Sequence, residues 1–190
     1  LRTKAAKSMD DKVSRELKGL AMGDSALTVA VNPDAATPDD RLTVTVAGTA
    51  AHAGADGADK VEFALLAHPG ATPLPIAKSA SGGELSRVML ALEVVLAAPT
   101  SGSVMVFDEV DAGVGGRAAV EIGKRLSRLA RAHQVIVVTH LPQVAAFADN
   151  HLVIGKSKKG ALVTSSVRTL DRSERVAELA RMLAGLGESD

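Results

Sequence analysis

Residues 103–116 read SVMVFDEVDAGVGG, an apolar run that stops on two carboxylates and then on glycines. Val104 to Phe107 have the length and composition of a strand. A short, continuously apolar strand is the pattern of one buried on both faces of a parallel sheet. Such a strand delivers Asp108 and Glu109 to its carboxyl end, where ligands of open α/β sheets bind. One carboxylate there can hold a magnesium ion, usually through water, beside nucleotide phosphates. A second can orient or deprotonate an attacking water. A solvated strand end gives the same pattern, because acids are common at that position.

Downstream, the period changes to that of a helix over 116–132 and returns to a strand in QVIVVT, residues 134–139. His140 lies one residue beyond Thr139. If the two strands are parallel neighbours, His140 and Glu109 face the same crevice, where an imidazole can bond a terminal phosphate oxygen or the attacking water. A loop histidine on the surface is the alternative. A short helix is expected after Pro142. The stretches HLVIGK and ALVTSSVRTL then predict a hairpin turning near Gly160. A last helix over 172–185 has Val176, Leu179, Ala180 and Leu183 on one face, and Asp171 and Glu174 have capping-box spacing.

Upstream lies IAKSASGGELSRVML, residues 76–90. Ser81 and Glu84 have the S-x-x-E spacing of a capping box, and the following helix, 82–97, carries Leu85, Val88, Met89, Leu92 and Leu96 as its expected buried face. Capping accounts for Ser81 and Glu84. It does not account for Gly82 and Gly83, which cost helix stability. Bare N–H groups at a helix start, aided by the helix dipole, form an anion site that a phosphate can approach closely. Further upstream, strand-like runs at 26–31, 41–47 and 60–68 predict an antiparallel meander, with turn chemistry at 32–40 and a loop at 48–59. Residues 1–20 form an amphipathic helix with Met9, Val13, Leu17 and Leu20 on one stripe, either an ordinary surface helix or the last turns of a coiled coil.

The 190 residues are 46% hydrophobic, enough to bury a core. Twenty-two basic and 22 acidic residues balance to a net charge of zero, which argues against a whole-surface sink for nucleic acid. With no Tyr or Trp and only Phe63, Phe107 and Phe147, a base-stacking platform is not expected. There is no cysteine, hence no disulfide and no thiolate metal site, and no run of about 18 apolar residues that would span a membrane. Lys4, Lys7, Lys12, Arg15 and Lys18 read as the solvated face of the first helix. Lys156, Lys158 and Lys159, at a hairpin tip, read as surface solvation or as a DNA contact. A phosphate-binding loop of the G-x-x-x-x-G-K-[ST] type is not found. Gly155-Lys156-Ser157 has its ending, but Asn150 stands at the first glycine's position and the residues between read as strand. Neither G-x-S-x-G nor H-E-x-x-H occurs.

Taken in order, these motifs resemble the carboxy-terminal part of an ABC-type ATPase head. ASGGELSR resembles the signature motif, VMVFDE the Walker B strand, VDAGVGG the D-loop and VIVVTHLPQVAAFAD the switch-histidine segment. Transporter subunits usually carry Gln after the glycine pair and Pro after the Walker B Glu; here those positions hold Glu84 and Val110. ADGADKVEF at 55–63, DEVDAGVGGRAA, THLPQVA and the ending ELARMLAG place the resemblance in a DNA-repair branch of the chromosome-structure-maintenance (SMC) ATPases.

That resemblance implies an α/β fold: the carboxy-terminal lobe of a P-loop NTPase head, with parallel strands and flanking helices plus a meander and a C-terminal hairpin and helix. It implies that residues 1–22 end a coiled-coil helix and that 23–190 belong to the head. The phosphate-binding loop would lie in an amino-terminal part of a longer protein, consistent with a start at Leu1. ATP and Mg²⁺ are the implied ligands. Ser81, Gly82, Gly83 and Glu84 would touch nucleotide held by a second head, Asp108 would support Mg²⁺, Glu109 would position water, and His140 would sense the γ-phosphate. Asp111 would cross the interface of a homodimer. DNA is an implied partner of the whole protein, a membrane is not, and the implied location is the cytoplasm, at the nucleoid. A transporter ATPase subunit and a non-catalytic pairing module of the same fold are the alternatives.

Overall fold

The computed structural model describes residues 1–96, 102–159 and 162–185; the side chains at 79, 156–159 and 162–163 lie outside the description. The chain divides into two compact units, 1–95 and 96–190, each described by itself.

In the first unit, helix α1 (Arg2–Lys18) packs on strand β1 (Ala26–Pro33). Val13, Leu17 and Leu20 of the expected stripe are buried, together with Ala6, while Met9 is only half-buried. β1 alternates: Leu27 and Val29 point into the core and Thr28 out. Its outer edge is closed by α1 itself. The Leu27 N–H donates to Ser14 Oγ at 3.0 Å and the Val29 N–H to Asp10 Oδ1 at 2.7 Å. These bonds satisfy two amides that would otherwise form an open sheet edge.

The antiparallel pairing is as expected, but the order is not that of a meander. β1 pairs directly with β4 (Asp59–Leu66), which continues to β5 (Leu74–Pro75). Between them, β2 (Thr43–Val46) and β3 (Thr49–His52) form their own hairpin. β3 falls in the stretch read as loop. Its two-residue turn is Ala47-Gly48, both with positive φ (48° and 84°). Alanine rarely takes that conformation, so the turn left no signal in the sequence. Beyond a short helix, α2 (Ile76–Ser79), helix α3 (Gly82–Leu96) follows. Its buried positions are Gly83, Arg87, Val88, Leu90, Ala91 and Leu92; Leu85, Met89 and Leu96, expected inside, are exposed. The helix is apolar nearly all round, so spacing alone could not choose its inner face.

In the second unit, β6 (Val104–Phe107) and β7 (Gln134–Val137) pair in parallel, Phe107 opposite Val137, with α4 (Gly116–Leu129) as the crossover. Ala119, Ile122, Leu126 and Leu129 bury the inner face of α4. The strands are not buried on both faces here. Phe107 is inside, while Val104, Val106, Ile136 and Val138 form an exposed apolar face. Helix α5 (Pro142–Ala145) packs on α4 and on α6 (Arg172–Leu183). Arg175 Nη2 donates to the Ala146 carbonyl at 3.0 Å, tying α6 to the end of α5. Strands β8 (Leu152–Lys159) and β9 (Leu162–Thr169) form the expected hairpin, with Gly155 inside β8 opposite Ser166. Gly155-Lys156-Ser157 is therefore strand, not a phosphate loop. The tip near Gly160 and the side chains of Lys156, Lys158 and Lys159 lie outside the described residues. The capping box of α6 forms: Glu174 N–H donates to Asp171 Oδ1 at 2.8 Å, and Asp171 N–H to Glu174 Oε2 at 2.9 Å. Its apolar face is not buried, with Val176 and Leu183 both exposed. Among the described residues, no helix is long and apolar enough to cross a membrane.

Candidate active site

The parallel register sets the geometry. Because Phe107 stands opposite Val137, Asp108 and Glu109 leave β6 beside Val138 and Thr139, and His140 follows at once. Val138 N–H donates to the Phe107 carbonyl at 3.0 Å, so the ladder runs to the last strand residue. Asp108 and Glu109 are exposed, as is His140. Asp108 Oδ1 accepts from the Glu109 N–H at 2.9 Å. Glu109 holds a left-handed backbone, φ 55°, a conformation costly for a side chain of its kind. Its carbonyl accepts from Ala112 N–H at 3.0 Å, closing a turn that buries Val110 completely.

Asp111 is also buried, 1% exposed. The resemblance implies an interface role, but here the carboxylate turns inward within its own unit. Its Oδ2 accepts from the Thr139 hydroxyl and lies 3.5 Å from His140 Nδ1. Thr139 Oγ1 in turn accepts from Leu141 N–H at 3.0 Å. Thr139 was not singled out from the sequence; its only signal there was its place at a strand end beside a histidine. The structure thus brings Asp108, Glu109, Asp111 and His140 to one end of the β6–β7 pair.

Ser81, Gly82, Gly83 and Glu84 belong to the other unit. The capping box expected there is present. Glu84 N–H approaches Ser81 Oγ at 3.4 Å, while Glu84 Oε2 accepts from Ser81 N–H at 2.8 Å and from the Ser81 hydroxyl at 2.9 Å. The Ser81 amide, then its hydroxyl, hold the Glu84 carboxyl below its ordinary pKa. Gly83 is buried and Gly82 exposed at the start of α3, where the first N–H groups have no acceptor within the helix. One turn on, Arg87 is buried, and burial pushes its pKa down.

As a test of fit to a metal, no group of three or more His, Asp or Glu side chains among the described residues could hold one. A single strand-end carboxylate suits Mg²⁺ that arrives on a nucleotide, since that ion keeps waters and phosphate oxygens as most of its ligands.

Compared with solved structures, the chain is similar to an SMC head domain with coiled coil and joint from Pyrococcus yayanosii. The TM-score is 0.54 at 21% identity, over 95% of this chain and 29% of that one. The fold is that of an SMC head domain, a P-loop NTPase fold, which agrees with the fold class expected from the sequence. Among curated proteins, the chain is similar along its whole length to the DNA repair protein RecN. It is 61% identical to that of Mycobacterium leprae and 59% identical to that of Mycobacterium tuberculosis. It spans about a third (33%) of the length of these relatives. No protein-family model matches it.

Proposed function

We propose that this chain is the carboxy-terminal portion of a RecN-like ATPase head that acts in DNA double-strand break repair, hydrolysing ATP only together with a phosphate-binding loop and a second head. The register of β6 on β7 carries the reading: it sets two carboxylates and a histidine at adjacent parallel strand ends. The left-handed backbone of Glu109 adds support, because strain of that kind concentrates at working residues.

In this reading bound MgATP supplies the transferable phosphoryl group and the metal charge. Asp108 would hold the metal, Glu109 would orient the attacking water and accept its proton, and His140 would bond the terminal phosphate. Fixed charge and positioning of this sort are the main catalytic resource in phosphoryl transfer. Ser81 and the amides of Gly82 and Gly83 grip the phosphates of nucleotide bound to the partner head, with the Ser81 hydroxyl turning away from Glu84 to do so. Residues 1–22 end the coiled coil that leads to the head, and the whole protein works in the cytoplasm on DNA.

The test is magnesium-dependent ATP hydrolysis by the full-length protein. Glu109→Gln should keep nucleotide binding while lowering turnover by roughly 10²–10⁴-fold. Unchanged turnover in that variant would remove Glu109 from the chemistry.

A further inference from the structure

Glu109 and His140 must be held in place for the proposed hydrolysis. Among the described residues, only two charged side chains are buried, Arg87 and Asp111, and Asp111 is the more enclosed. A carboxylate taken out of water needs partners. Those of Asp111 are specific and lie at the end of the neighbouring strand. Leu141 N–H donates to Thr139 Oγ1, the Thr139 hydroxyl donates to Asp111 Oδ2, and the same oxygen lies 3.5 Å from His140 Nδ1. At its own end, Asp111 belongs to the turn that gives Glu109 its left-handed backbone. Ala112 N–H closes that turn on Glu109, and Val114 N–H reaches the Asp111 carbonyl at 3.1 Å.

We propose that Asp111 is a positioning residue for hydrolysis, a buried carboxylate that fastens the Glu109 turn to the Thr139-His140 strand end within one head. The inference rests on the ATPase reading, and it assigns Asp111 a task inside its own unit. A carboxylate facing Nδ1 favours a proton on that nitrogen, and the ring is 73% exposed, so Nε2 is left to face substrate. The 3.5 Å separation is longer than a hydrogen bond. Such contacts often tighten only when substrate is bound.

The experiment is steady-state ATP hydrolysis by the full-length protein, as a cycle of Asp111→Asn, His140→Ala and the double variant, with Thr139→Val and Thr139→Ser alongside. Asp111→Asn should lower kcat by about tenfold or more with KM for ATP nearly unchanged, and should cost clearly less once His140 is Ala. Thr139→Val should reproduce the loss, and Thr139→Ser, which keeps the hydroxyl, should restore the rate. The proposal is overturned if the Asp111→Asn and His140→Ala losses multiply, if only KM moves, or if Thr139→Val is silent. A His140→Ala variant with unaltered kcat would sink both this inference and the role of His140 beneath it. Multiplying losses would sink this inference alone. Thr139→Val keeps the question answerable if Asp111→Asn fails to fold.

Discussion

A β-carbon added at Gly123 would lie closer to Cδ2 of Phe147 than real side chains come. The rigid ring behind α5 leaves α4 room for hydrogen alone at that point. Gly123→Ala, which gains about 1 kcal/mol in an open helix, should here lose roughly 1–3 kcal/mol in urea unfolding. A gain would mean that the ring gives way. Glu84 offers a second residue-scale expectation. Its carboxyl titrates below the ordinary value of 4.5 because the Ser81 amide and hydroxyl bond its charged form. Its contribution is therefore complete above pH 4.5 and lost as pH falls through the lowered folded value. Replacing it by Gln should flatten that acid limb of the stability profile, and an unchanged limb would place the effect elsewhere.

At the scale of elements, α1 is more than a lid on β1, since Ser14 and Asp10 supply the acceptors its edge amides need. Ser14→Ala should cost about 1 kcal/mol and speed hydrogen exchange at Leu27, with Val29 less affected; Asp10→Ala should do the reverse. Equal protection of both amides in both variants would refute the clamp. Elements were legible where their signal was local. The capping boxes at Ser81 and Asp171, the β6-α4-β7 unit and the β8–β9 hairpin follow from spacing, turn residues and apolar runs within a few positions. What could not be read was pairing and facing. Nothing in residues 43–46 says that they pair with 49–52 and not with β1, when the turn between uses alanine. Nor does an all-round apolar α3 announce Leu90 and Ala91 as part of its inside in place of Leu85 and Met89. The site was legible as residues at strand ends. The buried Asp111–Thr139 bond was not, because it joins positions 28 apart through a turn whose geometry only the fold determines.

For the molecule as a whole, the chain is RecN-like from end to end yet spans a third of its relatives' length, and its motifs fall in two units. The signature stretch at 81–84 is proposed to serve a site on another copy, while Asp108, Glu109 and His140 serve their own. The most direct test mixes two full-length variants that are each inactive in ATP hydrolysis: Glu109→Gln, with an intact signature, and Gly82→Arg, with an intact Glu109. If the signature acts across a dimer, every mixed pair contains one complete site, and an equal mixture should recover about a quarter of the unmutated rate. A mixture that stays as inactive as its components, under conditions where the two variants demonstrably pair, would contradict the account.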